Sequence, residues 1–138
     1  MTGASFGGTL DAYAVEAGGS LLMSSEGPNE ASFKDVDLSG AKITGQIDMV
    51  GANFESKLNA DSLQVGEMLL MRSDGQNKAS FKDVVLRGAK ITGQISLVGA
   101  SFDGTLNADA MQVGGSLYMR SEGQNKISFK AWFCAVPR

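Results

Sequence analysis

Apolar residues recur along this chain at steps of five and six, which is not the spacing of a helix. Leu38, Ile43, Met49, Phe54, Ala60, Val65 and Met71 form the clearest run. A second apolar column lies two residues before these anchors, at Val36, Ala41, Ile47, Ala52, Leu58, Leu63 and Leu69. Extended from Met1 to Phe129, neither column meets a charged residue. An amphipathic helix would place apolar residues at i, i+3, i+4 and i+7. The recurring glycines would also destabilise each helix by about 1 kcal/mol apiece. Long open strands do not fit either, because Gly or polar residues separate the apolar pairs. The pattern predicts very short strands, each turning two side chains inward before the chain rounds a corner. Such strands are the sides of a β-solenoid coil.

A longer period governs the shorter one. Phe33, Phe81 and Phe129 recur with a period of 48, as do Phe6, Phe54 and Phe102. Residues 33–80 and 81–128 align without gaps, with 33 of 48 positions identical. Within one unit the anchors advance by steps of 5, 6, 5, 6, 5, 6, 10 and 5. Eight sides make two four-sided coils, with lengths of 22 and 26. The longer coil carries an excursion at Asp74-Gly75-Gln76-Asn77-Lys78, with copies at Glu26-Gly27-Pro28-Asn29-Glu30 and Glu122-Gly123-Gln124-Asn125-Lys126. Its Gly and Asn content suits a tight turn. Three equal triangular coils also fill the unit, but they stack Ile43 on Asn59 and lose the apolar column.

At Gly40-Ala41-Lys42-Ile43, Gly51-Ala52-Asn53-Phe54, Gly88-Ala89-Lys90-Ile91 and Gly99-Ala100-Ser101-Phe102, the sequence resembles the pentapeptide-repeat proteins. Asn59-Ala60-Asp61 and Asn107-Ala108-Asp109 carry the same small-polar style. The resemblance covers residues 1–130 and implies an all-β, right-handed β-helix. That fold is a quadrilateral β-solenoid of nearly six coils, alternating between the two coil lengths just given. The chain departs from the family pattern at Ile47, Leu58 and Leu69, where a small residue is the rule, and in the protruding loop. Bactofilin-like triangular β-helices are a similar-looking alternative. Residues 131–138, Ala-Trp-Phe-Cys-Ala-Val-Pro-Arg, leave the repeat and form a tail. The tail reads as a cap for unpaired strand edges, as a dimer contact or as a truncation of a longer repeat protein. Trp132, Phe133 and Val136 are its candidate interface residues.

Composition narrows the chemistry. The 138 residues include no histidine and one cysteine, Cys134. This excludes a His-based triad, a His-ligated metal, an internal disulfide and a Cys cluster. The net charge of −3, from 12 basic and 15 acidic residues mixed along the chain, gives no nucleic-acid footprint. No apolar run is long enough to span a bilayer, no signal peptide is visible, and a cytoplasmic location is expected. Two carboxylate pairs recur, Asp61 with Asp109 and Asp35 with Asp83, each two coils or about 9.6 Å apart. Solvated corners are the simpler reading. Lys34 with Lys82 and Lys130, Lys42 with Lys90, and Arg72 with Arg120 are solvated columns or a weak anion-binding stripe. The Met23, Met71 and Met119 column reads as core filler. No cofactor, metal or catalytic residue is expected. The function expected is a non-catalytic repeat scaffold or protein-binding module of unknown partner, with a homodimer through the C-terminal end. The resemblance implies two alternatives. Some members of that family mimic DNA and bind topoisomerases such as gyrase, and longer similar proteins are labelled membrane-associated oxidoreductases.

Overall fold

The chain rounds a corner wherever the sequence interrupts its apolar pairs. The computed structural model describes residues 2–121 and the backbone of residues 128–133. The first turn holds β1 (Ser5–Asp11), β2 (Glu16–Ala17) and β3 (Leu21–Leu22). The second holds β4 (Ser32–Asp37), β5 (Lys42–Ile43) and β6 (Ile47–Asp48), and the third β7 (Asn53–Asn59), β8 (Gln64–Val65) and β9 (Leu69–Leu70). The fourth holds β10 (Ser80–Val85), β11 (Lys90–Ile91) and β12 (Ile95–Ser96). The fifth holds β13 (Ser101–Asn107), β14 (Gln112–Val113) and β15 (Leu117–Tyr118), and β16 (Ser128–Phe133) follows. Every strand pairs in parallel with its counterparts one turn away. No helix occurs among the described residues.

The fold is thus an all-β solenoid of quadrilateral cross-section. The first sheet has six strands and the other two have five each. The described residues therefore make five turns, against the nearly six expected, because β16 adds a rung to the first sheet only. In the second sheet Ile43 pairs with Val65 at an offset of 22, and Ala17 pairs with Ile43 at an offset of 26. The alternating coil lengths expected from the 48-residue unit are present. Strand pairing also continues to Phe133, three residues beyond Lys130, where the repeat motif ends.

Four sides are served by three sheets because the first sheet bends through a corner. Its strands alternate between six and seven residues, and each pairing has a register shift just after the Phe. Phe33 pairs with the earlier Phe6 at an offset of 27 and with the later Phe54 at an offset of 21. Beyond the shift, Val36 pairs with Leu10 and Leu58 at offsets of 26 and 22. The extra residue in β1, β7 and β13 is a β-bulge, which bends a strand and sharpens its twist.

Inside, each column repeats one kind of side chain. Phe6, Phe33, Phe54, Phe81 and Phe102 stack with centroids 5.0–5.4 Å apart and rings tilted by 11–20°. Met23, Met49, Met71 and Leu97 are buried, so the Met column is a packed part of the core. Ala31, Ala52, Ala79 and Ala100 are fully buried, at the positions where the small residue was expected. Ile47, Leu58 and Leu69, the departures from the family pattern, are buried as well. Burial of this kind contributes roughly 25 cal/mol per Å² of apolar surface.

The two described excursions are tight turns closed by a two-residue bridge, Glu26 with Asn29 and Asp74 with Asn77, and the third, at 122–126, lies outside the described residues. A serine, buried at Ser73 and half-buried at Ser25, ties the base of each described loop to the next coil. The Ala79 N–H donates to Ser73 Oγ, and the Ser73 hydroxyl donates to the Gly99 carbonyl, both at 2.8 Å. Ser25 makes the same pair of bonds with Ala31 and Gly51. Both described loops lie back against the coil before, Asn29 against Gly3 and Asn77 against Gly51. A Cβ on Gly51 (φ +67°) would meet the Asn77 Cβ at 2.5 Å, so both backbone angle and space demand glycine there.

Candidate functional site

The register sorts the charged columns by what lies between their members. Lys34 and Lys82 follow the stacked phenylalanines, and Glu55 and Asp103 occupy that position in the intervening coils. This edge alternates in sign and is no anion stripe. Arg72 and Arg120 are separated by the buried Val98. The Arg72 guanidinium donates to the neighbouring Ser73 carbonyl at 3.4 Å. Lys42 and Lys90 differ from both. They flank Gln64 in a ladder that runs Glu16, Lys42, Gln64, Lys90, Gln112. All five are exposed.

Three of the four candidate carboxylates, Asp61, Asp35 and Asp83, are committed elsewhere. Arg87 stands between Asp61 and Asp109 in the stack and pairs with Asp61 at 2.6 Å. That bond holds the Asp61 carboxyl below its ordinary value against the opposing effect of burial, with help from the Ser62 hydroxyl. Asp35 and Asp83 cap the bulges of the following coil. Asp83 Oδ1 accepts the Thr105 N–H at 2.9 Å, and Asp35 Oδ1 accepts the Lys57 N–H at 3.3 Å. Asp37, Asp48, Asn59 and Asn107 each accept an N–H two residues on, the side chains closing Asx turns at corners. Sequence reasoning located Asp35, Asp61, Asp83 and Asp109 but not their tasks, and it missed Asp37 and Asp48, because a bulge or corner amide without a partner is not written in the apolar pattern.

The second sheet leaves its polar side chains unengaged. Between Lys42 and Lys90 lies a shallow groove of about 360 Å³ over Gln64 and Gly66, walled by Thr44 and Thr92. Grooves continue toward Glu16 and Gly18 on one side and toward Gln112 and Gly114 on the other, about 350 and 340 Å³. Gly66 makes the step in the floor. A Cβ there would run into the Thr44 carbonyl one coil away, so the strands can approach only with glycine at that place. Among the described residues, no cluster of three or more Asp, Glu or Cys could hold a metal ion. No described helix is long and apolar enough to cross a membrane.

Of the tail residues, Trp132 and Phe133 lie on β16, paired with Leu106 and Asn107. Val136 and Cys134 fall outside the described residues. Comparison with protein families, with curated proteins and with solved structures finds no match for this chain.

Proposed function

We propose that the chain is a non-catalytic repeat scaffold of the pentapeptide-repeat kind, whose outer faces bind a protein partner. The observation that carries this reading is the filled interior. Every inward column of the middle turns is occupied by Phe, Leu, Ile, Val, Met or Ala at 3% exposure or less. A ligand must therefore lie on the outside, where the surfaces are flat and repetitive. Of the paired carboxylates, Asp35 and Asp83 are engaged in capping bulges and Asp61 in pairing with Arg87, which leaves Asp109 without a second acid beside it. An active site needs convergent groups in a concavity, and the outer grooves are shallow. The edge that alternates Lys34, Glu55, Lys82 and Asp103 lends nothing to a DNA mimic, which needs a continuous acidic face.

Two measurements test the proposal. Purified protein is assayed for hydrolytic and redox turnover. Turnover abolished by one polar substitution overturns the scaffold reading. Solution mass by light scattering tests the end-to-end contact. A sharp dimer that reverts to monomer in Trp132→Ala supports self-association through Trp132, Phe133 and Val136, and a dimer unchanged by that substitution removes the tail from the interface.

A further inference from the structure

We infer that the trough over the second sheet binds an extended acidic oligosaccharide, a uronate chain lying along the solenoid axis with carboxylates against Lys42 and Lys90. The inference rests on the non-catalytic part of that reading, since it assigns retention and not turnover to this face, and it gives the second sheet a carbohydrate ligand in place of a protein one. Charge is the first support. Arg87 and Asp61 form the only side-chain ion pair among the described residues, so Lys42 and Lys90 are unneutralised cations. Glu16 adjoins Lys42 only at the first rung, and Glu67, next to Gly66, lies on the flanking corner.

Spacing is the second support. The two lysines are two rungs apart, about 9.6 Å, and the trough runs over five rungs, about 19 Å. Two cations set this far apart suit a chain with one charge per sugar better than a densely charged one. The third support is what lies between the charges. Thr44, Thr92, Gln64 and Gln112 offer hydroxyls and amides, which both donate and accept as sugar hydroxyls require. The groove of about 360 Å³ over Gln64 and Gly66 leaves room for a ring to settle. The trough has no aromatic side chain on which a base could stack, as single-stranded nucleic acid would need. It also has no large apolar anchor of the kind that dominates protein interfaces.

The test is affinity electrophoresis of the whole chain in native gels containing de-esterified polygalacturonate. Retardation is expected, and it should weaken as salt is raised. The double variant K42Q/K90Q should bind about tenfold more weakly or worse, with an unchanged thermal melt. K34Q/K82Q, on the alternating edge, should bind like the parent. Absence of retardation overturns the inference, as does equal retardation of K42Q/K90Q or of any form by fully methyl-esterified polymer. Equal or tighter binding of single-stranded DNA overturns it in favour of a general polyanion surface. Displacement of the polymer by inorganic phosphate at similar anion concentration reduces the trough to an isolated anion pocket and overturns it too. Polymer length is measured after incubation. Shortening would sink the non-catalytic reading while leaving the binding site in place.

Discussion

The phenylalanine edge and the second sheet are built from the same 48-residue unit, yet they use their polar residues in opposite ways. Along the phenylalanine edge the strands are six or seven residues long, carry bulges and depend on Asp35 and Asp83 to satisfy bulge amides. Along the second sheet the strands are two residues long and the backbone is satisfied by simple stacking. Nothing there requires Lys42, Gln64 or Lys90 to hold the fold. Irregular backbone consumes side-chain chemistry, and regular backbone leaves it available for a ligand.

The sharpest way to break this comparison is to damage the edge that is expected to carry stability. Phe81→Ala removes a ring stacked between Phe54 and Phe102 and should destabilise by about 3–5 kcal/mol, read by chemical denaturation. A loss as small as that of K42Q/K90Q, expected within about 0.5 kcal/mol, would erase the distinction. Next comes Ser73→Ala. It strands the Ala79 N–H and the Gly99 carbonyl at the loop base and should cost about 1–3 kcal/mol, with faster proteolysis at Asp74–Lys78. Gly66→Ala tests the trough floor from within. The added methyl meets the Thr44 carbonyl, so a loss of about 1–3 kcal/mol is expected, in contrast to the neutral lysine changes beside it.

Smaller effects sharpen the picture at the corner after the first sheet. Ala14, Ser62 and Ala110 hold left-handed angles there, φ 54–61°, whereas Gly40 and Gly88 occupy the same place in the alternate coils. Ala110→Gly should therefore stabilise by about 0.5–1 kcal/mol in thermal melts. The Arg87–Asp61 bridge is the least of these, at most about 1 kcal/mol for an exposed pair. Because folding lowers the Asp61 pKa, its contribution is present above the unfolded carboxylate value of roughly 3.9. It is lost as pH falls through the depressed folded value. Melts of the parent and Arg87→Ala should differ near neutrality and converge in acid.

The inward columns, the two coil lengths and the loops were legible in the sequence because each inward position repeats its chemistry at a fixed interval. The bulges were not. Phe54-Glu55-Ser56-Lys57-Leu58 and Phe33-Lys34-Asp35-Val36 look like two spacings of one apolar pair, and only the stacked backbone turns the difference into a bend. The same blindness hid Arg87 between Asp61 and Asp109. Equivalent residues in the 48-residue unit are two coils apart, and the neighbour that decides their chemistry comes from the other half of the unit. The trough was legible only in part. Lys42 and Lys90 stood out as a repeat, but the Gln64 and Gly66 between them gained meaning once the second sheet set them in one file.

The fit of Asn77 against Gly51 has a consequence for how such a chain can change length. Each described loop rests on a glycine corner in the coil before it, so two loop-bearing coils cannot follow one another directly. Removing one shorter coil would set loop against loop with no recess to receive it, and removing one longer coil would bring two shorter coils together across a junction found nowhere among the described residues. Removing or duplicating a pair would leave every junction as it was. The heritable unit of growth is therefore the pair of coils, and a rod of this design lengthens or shortens in double steps.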